Sequence, residues 1–162
     1  YDNMGNMTLF TDNNGNQTIY SYDNNGNLTS IKQANNAQEK FTFNSFNEQT
    51  SWTTARGTTV YYSYNSYGNL QSITNSDGTS YTYSYDSLNR LTGAGNLKFT
   101  YDNNDLLLTI ESSNNQNISY TYDNFDRVIS VSDGVNTTNY TYTEYGDLKP
   151  EFDNYEVYEK WN

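Results

Sequence analysis

Five aspartates return at equivalent places along the 162-residue chain: Asp2, Asp23, Asp86, Asp102 and Asp123. Recurring carboxylates could serve general acid–base chemistry, but a catalytic pair needs two unlike environments in one cleft. A carboxylate that recurs with the same neighbours has the same environment each time. What remains for it is local chemistry: accepting backbone N–H groups and opening a turn. Ser and Thr are plentiful, yet the chain has no His and no Cys. No familiar nucleophile–base pair can therefore be assembled, and thiolate metal sites and disulfides are excluded. The stretches DNNGN at 12–16 and 23–27 resemble oxygen-rich calcium loops. Asn stands where such loops need carboxylates, and the downstream bidentate acid is missing. The chain is read as a non-enzyme, with no catalytic, cofactor-binding or metal-binding residues.

Binding chemistry is the other option. Aromatic rings bordered by Asn and Asp can stack on sugars, and Trp52, Tyr61, Tyr67 and Tyr81 are the candidate glycan contacts, with Phe46 and Trp161 at similarly variable places. The competing role for such rings is cross-strand packing, at roughly 0.5–1 kcal/mol per pair, and pocket-like recognition needs converging polar groups. Glycosylation sequons stand at Asn6, Asn16, Asn27, Asn117, Asn136 and Asn139 and count only in a secreted eukaryotic protein. With 8 basic residues and a net charge of −11, nucleic acid is not an expected partner. Membrane insertion is not expected either, since no apolar run has spanning length.

The elements that would position these residues follow from a repeat. Take an aromatic followed by Asp or Asn as an anchor. Anchors fall at Tyr1, Tyr22, Phe43, Tyr64, Tyr85, Tyr101 and Tyr122, with a weaker one at Tyr142. The steps are 21, 21, 21, 21, 16, 21 and 20 residues, and a fixed period outranks other readings. Two residues before each later anchor stand Tyr20, Phe41, Tyr62, Tyr83, Phe99, Tyr120 and Tyr140, and the residue between is always Ser or Thr. That alternation predicts a strand with one aromatic face.

Four residues after the anchor only Gly, Asn or Asp occurs: Gly5, Gly26, Asn47, Gly68, Asn89, Asp105, Asp126 and Gly146. These types tolerate a left-handed backbone best, which predicts a tight turn with positive φ there. Apolar residues resume six places after the anchor at Met7, Leu28, Leu70, Leu91, Leu107, Val128 and Leu148, with Gln49 the exception. Three places further lie Phe10, Ile31, Trp52, Ile73, Ile110 and Val131. A spacing of three implies either a bulge or two opposite faces. A second turn follows at 12–15, 75–78 and 132–134. Each unit thus reads as strand, tight turn, strand, looser turn. The 16-residue step implies a shortened second strand or turn around 92–96, and Pro150 fits a turn or a strand start.

The phrases YSYDNNGNLTSI (20–31), YTYDNFDRVISV (120–131) and YSYDSLNRLTGA (83–94) resemble the YD repeat of the Rhs proteins, the teneurins and the C subunits of insecticidal Tc toxins. The matching positions are Tyr22, Asp23, Gly26, Leu28, Tyr64, Gly68, Leu70, Tyr85, Asp86, Leu91, Tyr101, Asp102, Tyr122 and Asp123. The resemblance implies a ribbon of hairpins wound into a hollow shell that encloses a C-terminal polypeptide, often a toxin, or serves at a surface. The family's Asp-Pro-x-Gly-Leu signature is absent from this sequence, so self-cleavage is not carried over.

The expected fold is all-β: consecutive antiparallel hairpins forming a curved, twisted sheet, part of a β-shell. Residues 1–162 read as a single array of about eight units with a partial unit from Tyr158, truncated at both ends. Aromatic rings are expected to stack into continuous columns that replace an aliphatic interior. The expected function is a non-catalytic scaffold, secreted or at the cell surface, with a bacterial source favoured by the Asn bias and the lack of Cys. Expected partners are neighbouring repeats, an enclosed toxin or other cargo, glycans, and further copies through the sheet edges. The second reading is a carbohydrate-binding repeat module.

Overall fold

The computed structural model describes residues 1–149. Pro150, Trp161 and the partial unit from Tyr158 lie outside the described residues. The chain divides into two compact units, Tyr1–Arg90 and Leu91–Asn162. The first holds β1 (Leu9–Thr11), β2 (Gln17–Tyr22), β3 (Leu28–Lys32), β4 (Gln38–Phe43), β5 (Gln49–Thr53), β6 (Thr59–Tyr64), β7 (Leu70–Asn75) and β8 (Ser80–Tyr85). The second holds β9 (Leu91–Ala94), β10 (Leu97–Tyr101), β11 (Leu107–Ser112), β12 (Ile118–Tyr122), β13 (Val128–Ser132) and β14 (Thr137–Asn139). Within each unit every strand pairs antiparallel with the next in sequence. No helix occurs among the described residues. The all-β hairpin reading is borne out.

The spacing of three resolves as a bulge. Ser21 faces Ser30, but Tyr22 faces Leu28, so Thr29 is the extra residue. The same slip occurs at Thr42/Phe43, Ser63/Tyr64, Thr100/Tyr101 and Thr121/Tyr122. The slip restores the alternation, and both apolar positions come to the aromatic face: Leu28 opposite Tyr22, Ile31 opposite Tyr20.

The two faces differ as the alternation requires. Tyr20, Phe41, Tyr62, Tyr83, Phe99, Tyr120 and Tyr140 are half-buried, while Ser21, Thr42, Ser63, Ser84, Thr100, Thr121 and Thr141 between them and the anchors are exposed. Hydroxyls pair across the exposed face: Thr42 with Ser51 at 2.6 Å, and Ser63 with Ser72, Thr100 with Thr109, and Thr121 with Ser130 at 2.7 Å each.

The expectation of continuous ring columns needs correction. An intervening strand places an aliphatic side chain beside each ring: Ile73 stands between Tyr62 and Tyr81, and the row from Tyr120 through Val131 ends on Thr138, which has no ring. Trp52, between Phe41 and Val60, is the aromatic exception. No side chain among the described residues is fully buried. Cohesion within each unit therefore rests on backbone ladders and cross-strand pairs rather than on an enclosed core.

Candidate functional site

The tight turn is built around the residue after the anchor. In the turn from Asp23, Oδ1 accepts the N–H groups of Asn25 and Asn27, both at 2.9 Å, and Oδ2 accepts the Asn27 side-chain amide at 2.9 Å. The backbone closes with Asp23 N–H to Asn27 O at 3.0 Å and Gly26 N–H to Asp23 O at 3.1 Å. The amide of Asn27 and the two backbone donors hold the Asp23 carboxyl below the usual carboxylate range. Asp86 and Asp123 use Arg90 and Arg127 in the same way, each Nε to Oδ2 contact being 2.7 Å. At Asn44 the polarity is inverted: its amide donates to Glu48 Oε2 at 2.6 Å. Every residue four places after an anchor has positive φ, from 62° at Asp126 to 89° at Gly146, so the backbone shape read from residue type is present in each turn.

The anchor ring does something that strand periodicity alone does not reveal. Its phenol donates to the carbonyl six residues after the preceding anchor. The pairs are Tyr22 to Met7 (3.0 Å), Tyr64 to Gln49 (2.8 Å), Tyr85 to Leu70 (2.9 Å), Tyr101 to Leu91 (2.8 Å), Tyr122 to Leu107 and Tyr142 to Val128 (both 2.7 Å). In most cases the cause is the bulge. It draws one strand away from the next hairpin, so the backbone ladder there stops early. Between β11 and β12 the last pairs are Ile110 with Ile118 and Thr109 with Ser119. The phenol of Tyr122 reaches the carbonyl left beyond that point. Phe43 has no hydroxyl and cannot make this bond to Leu28. The sequence carried a signal for the latch: the anchor is Tyr at every place but Phe43, whereas Phe41 and Phe99 both occupy the ring position two residues earlier.

Successive turns also touch. The amide of Asn27 donates to Asn47 Oδ1 at 2.8 Å, and Asn69 bonds Asn89 in the same relationship. Arg127 lies 4.4 Å from the centre of the Tyr142 ring and 5.2 Å from that of Phe125. The residue five places after one anchor thus packs against the next turn. Within each unit, neighbouring hairpins are thus joined by backbone ladders, with phenol latches and turn side chains adding to them at the places named.

A family model described as RHS Repeat matches residues 1–38, 64–96 and 101–138, well over half of the chain. The chain belongs to the RHS repeat family. No curated protein matches this RHS repeat chain in sequence. Solved structures match its fold. The crystal structure of TcdB2-TccC3 without hypervariable C-terminal region aligns at TM-score 0.67 and 18% identity over 91% of this chain and 10% of that one. The Photorhabdus luminescens Tc holotoxin pore with the mutation TccC3-D651A aligns at 0.66 and 17% identity, over 88% of this chain and 9% of that one. TcdB2-TccC3-Cdc42 aligns at 0.62 and 18%, over 82% and 9%. The RHS repeat chain spans about a tenth of the length of these proteins.

Within the RHS repeat, the sequence-predicted positions take distinct places. Asp23, Asp86, Asp102 and Asp123 are turn acceptors. Tyr22, Tyr64, Tyr85, Tyr101 and Tyr122 form latches, and Leu70, Leu91 and Leu107 supply accepting carbonyls. Gly26 and Gly68 hold φ at 85° and 82°. The four candidate glycan contacts do not converge. Trp52 is half-buried on the ring face and donates its indole N–H to Glu39 Oε2 at 2.9 Å. Tyr81 shares that face, Tyr61 stands on the hydroxyl face, and Tyr67 projects from a turn. Among the described residues no group of three or more His, Cys, Asp or Glu is placed to hold a metal ion.

Proposed function

We propose that this chain is a non-catalytic structural segment of a longer, secreted bacterial RHS repeat protein whose hairpin ribbon encloses a C-terminal polypeptide. The observation that carries the reading is the repeated latch. At every anchor from Tyr22 to Tyr142 except Phe43, the ring bonds the preceding stretch through the same phenol–carbonyl contact, so a ribbon of any length can be extended without a new kind of interface. Turn-capping by Asp and Asn uses the recurring acidic groups structurally. The Tc toxin structures that share the fold give the enclosure reading its support. The excess of acidic side chains keeps an extended sheet soluble and disfavours edge pairing. The exposed Leu9 and Phe10 of β1 offer apolar surface for association with further repeats.

Protease protection in the parent protein tests this. The region C-terminal to the repeats should resist digestion in the intact protein and become cleavable when Tyr64, Tyr85 and Tyr122 are together changed to Phe. Digestion of that region at the rate of an unfolded chain in the intact protein would overturn enclosure.

A further inference from the structure

Two neighbouring turns, 44–48 and 65–69, flank a groove of about 760 Å³. Its walls include Phe46 and Tyr67, with Asn44, Glu48, Thr50 and Asn65 between and beside them. Phe46 and Tyr67 are 81% and 82% exposed. Both stand three residues after an anchor, at the tip of a turn. Neither ring is buried enough to contribute materially to folding, so their presence asks for another account.

We infer that this groove binds a neutral, extended β-1,4-linked polysaccharide, with Phe46 and Tyr67 as two stacking platforms. Equivalent positions in successive hairpins are separated by two strands, about 10 Å. That step matches the disaccharide repeat of an extended β-1,4-linked chain, in which every second sugar presents the same face. Leu88, exposed at the equivalent tip of the next turn, continues the row. The backbone beneath each platform is fixed before binding: Phe46 N–H is held by Asn44 Oδ1 and Tyr67 N–H by Asn65 Oδ1, both at 2.9 Å. With the backbone already held, only the ring torsions remain to be ordered on binding.

The polar groups match sugar hydroxyls. Glu48 Oε2 is taken by Asn44, while Oε1 lies 3.0 Å from where a side chain at Gly68 would begin. Because residue 68 is glycine, no side chain there covers that oxygen, and it can accept a hydroxyl proton. No Lys or Arg lines the groove, and Glu48 does, so an acidic polysaccharide would be repelled. The inference is independent of the enclosure reading.

Isothermal titration of the full chain with cellohexaose tests it, with maltohexaose as the α-linked control and polygalacturonate as the acidic one. Saturable binding of cellohexaose is expected, weakened about tenfold or more in Phe46→Ala and in Tyr67→Ala, as for other desolvated aromatic anchors. Tyr67→Trp should retain it. Both alanine variants should melt as the parent does, which separates lost binding from lost fold. No saturable cellohexaose binding at millimolar concentration would overturn the proposal, as would binding untouched by the two substitutions. Equal binding of maltohexaose or polygalacturonate would overturn the assigned linkage or neutrality.

Discussion

The phenol of Tyr122 donates to the carbonyl oxygen of Leu107 across 2.7 Å, joining two hairpins where their backbone ladder has ended. One hydroxyl thus does at a bulged seam what a pair of backbone groups does elsewhere.

Removing that hydroxyl should cost stability in proportion to one net hydrogen bond. Tyr122→Phe is expected to lower the unfolding free energy by about 1 kcal/mol. The reverse change, Phe43→Tyr, supplies the bond missing at Leu28 and should raise stability by a similar amount. Urea denaturation at constant m-value measures both. An unchanged midpoint in both variants would remove the latch from the account of cohesion.

The position four residues after the anchor should discriminate by backbone, not by size. Gly68 has φ of +82°, and Ala there is expected to cost about 1–2 kcal/mol from the left-handed backbone. Its Cβ would also stand 3.0 Å from Glu48 Oε1. Gly68→Asn should cost less despite its greater bulk, because Asn47 and Asn89 already hold φ of 63° and 68° at equivalent places. Thermal melts of the two variants give the order.

Thr54 opens the second turn of its repeat, and its Oγ1 is shielded from water without a hydrogen-bond partner. At the equivalent place Asp12 Oδ1 accepts the N–H groups of Asn14 and Asn16, both at 2.8 Å. Thr54→Asp should gain the same two acceptor bonds with Arg56 and Thr58 and raise stability by about 0.5–1.5 kcal/mol. A lower melting temperature for the Asp variant would show that the two turns are not interchangeable.

The turn pairs predict a swap. Asp86 with Arg90 and Asn44 with Glu48 are the same contact with the polarity reversed. Arg90→Glu alone sets two carboxylates together and should destabilise. Adding Asp86→Asn should recover most of the loss. A double-mutant cycle reads the coupling, which should be small and favourable for a solvent-accessible pair.

Stability should fall at both ends of the pH scale for separate reasons. Asp2, Asp12, Asp23 and Asp123 are held below 3.8 chiefly by side-chain donors, and Asp86 chiefly by the Arg90 backbone N–H. A lowered folded-state value stabilises above pH 3.8, and that contribution disappears as pH falls through the lowered values. Burial raises the Tyr64 and Tyr122 phenols above 10.0, with Glu48 adding to it at Tyr64, and Tyr120 followed by Asp102 at Tyr122. A raised value stabilises fully below pH 10, and that contribution disappears as pH climbs through the raised values. Melting temperature against pH should show both declines. Tyr64→Phe with Tyr122→Phe should soften the alkaline one alone. An identical alkaline decline in that variant would refute the phenol assignment.

What the sequence determined by itself was local. Alternation around Tyr20, Ser21 and Tyr22 dictated a two-faced strand, since side chains on a strand alternate whatever lies beyond it. The restriction to Gly, Asn and Asp at positions such as Gly26 and Asp126 dictated the left-handed turn, because that constraint lies in one residue's own backbone. The tertiary structure decided what depends on groups distant in sequence. It placed the bulge at Thr29 and the aliphatic Ile73 between the rings of Tyr62 and Tyr81. It aimed the phenol of Tyr85 at a carbonyl 15 residues away. It also set Phe46 and Tyr67 on one groove. Periodicity tells which way a side chain points, but a partner is fixed only when register brings a second strand to it.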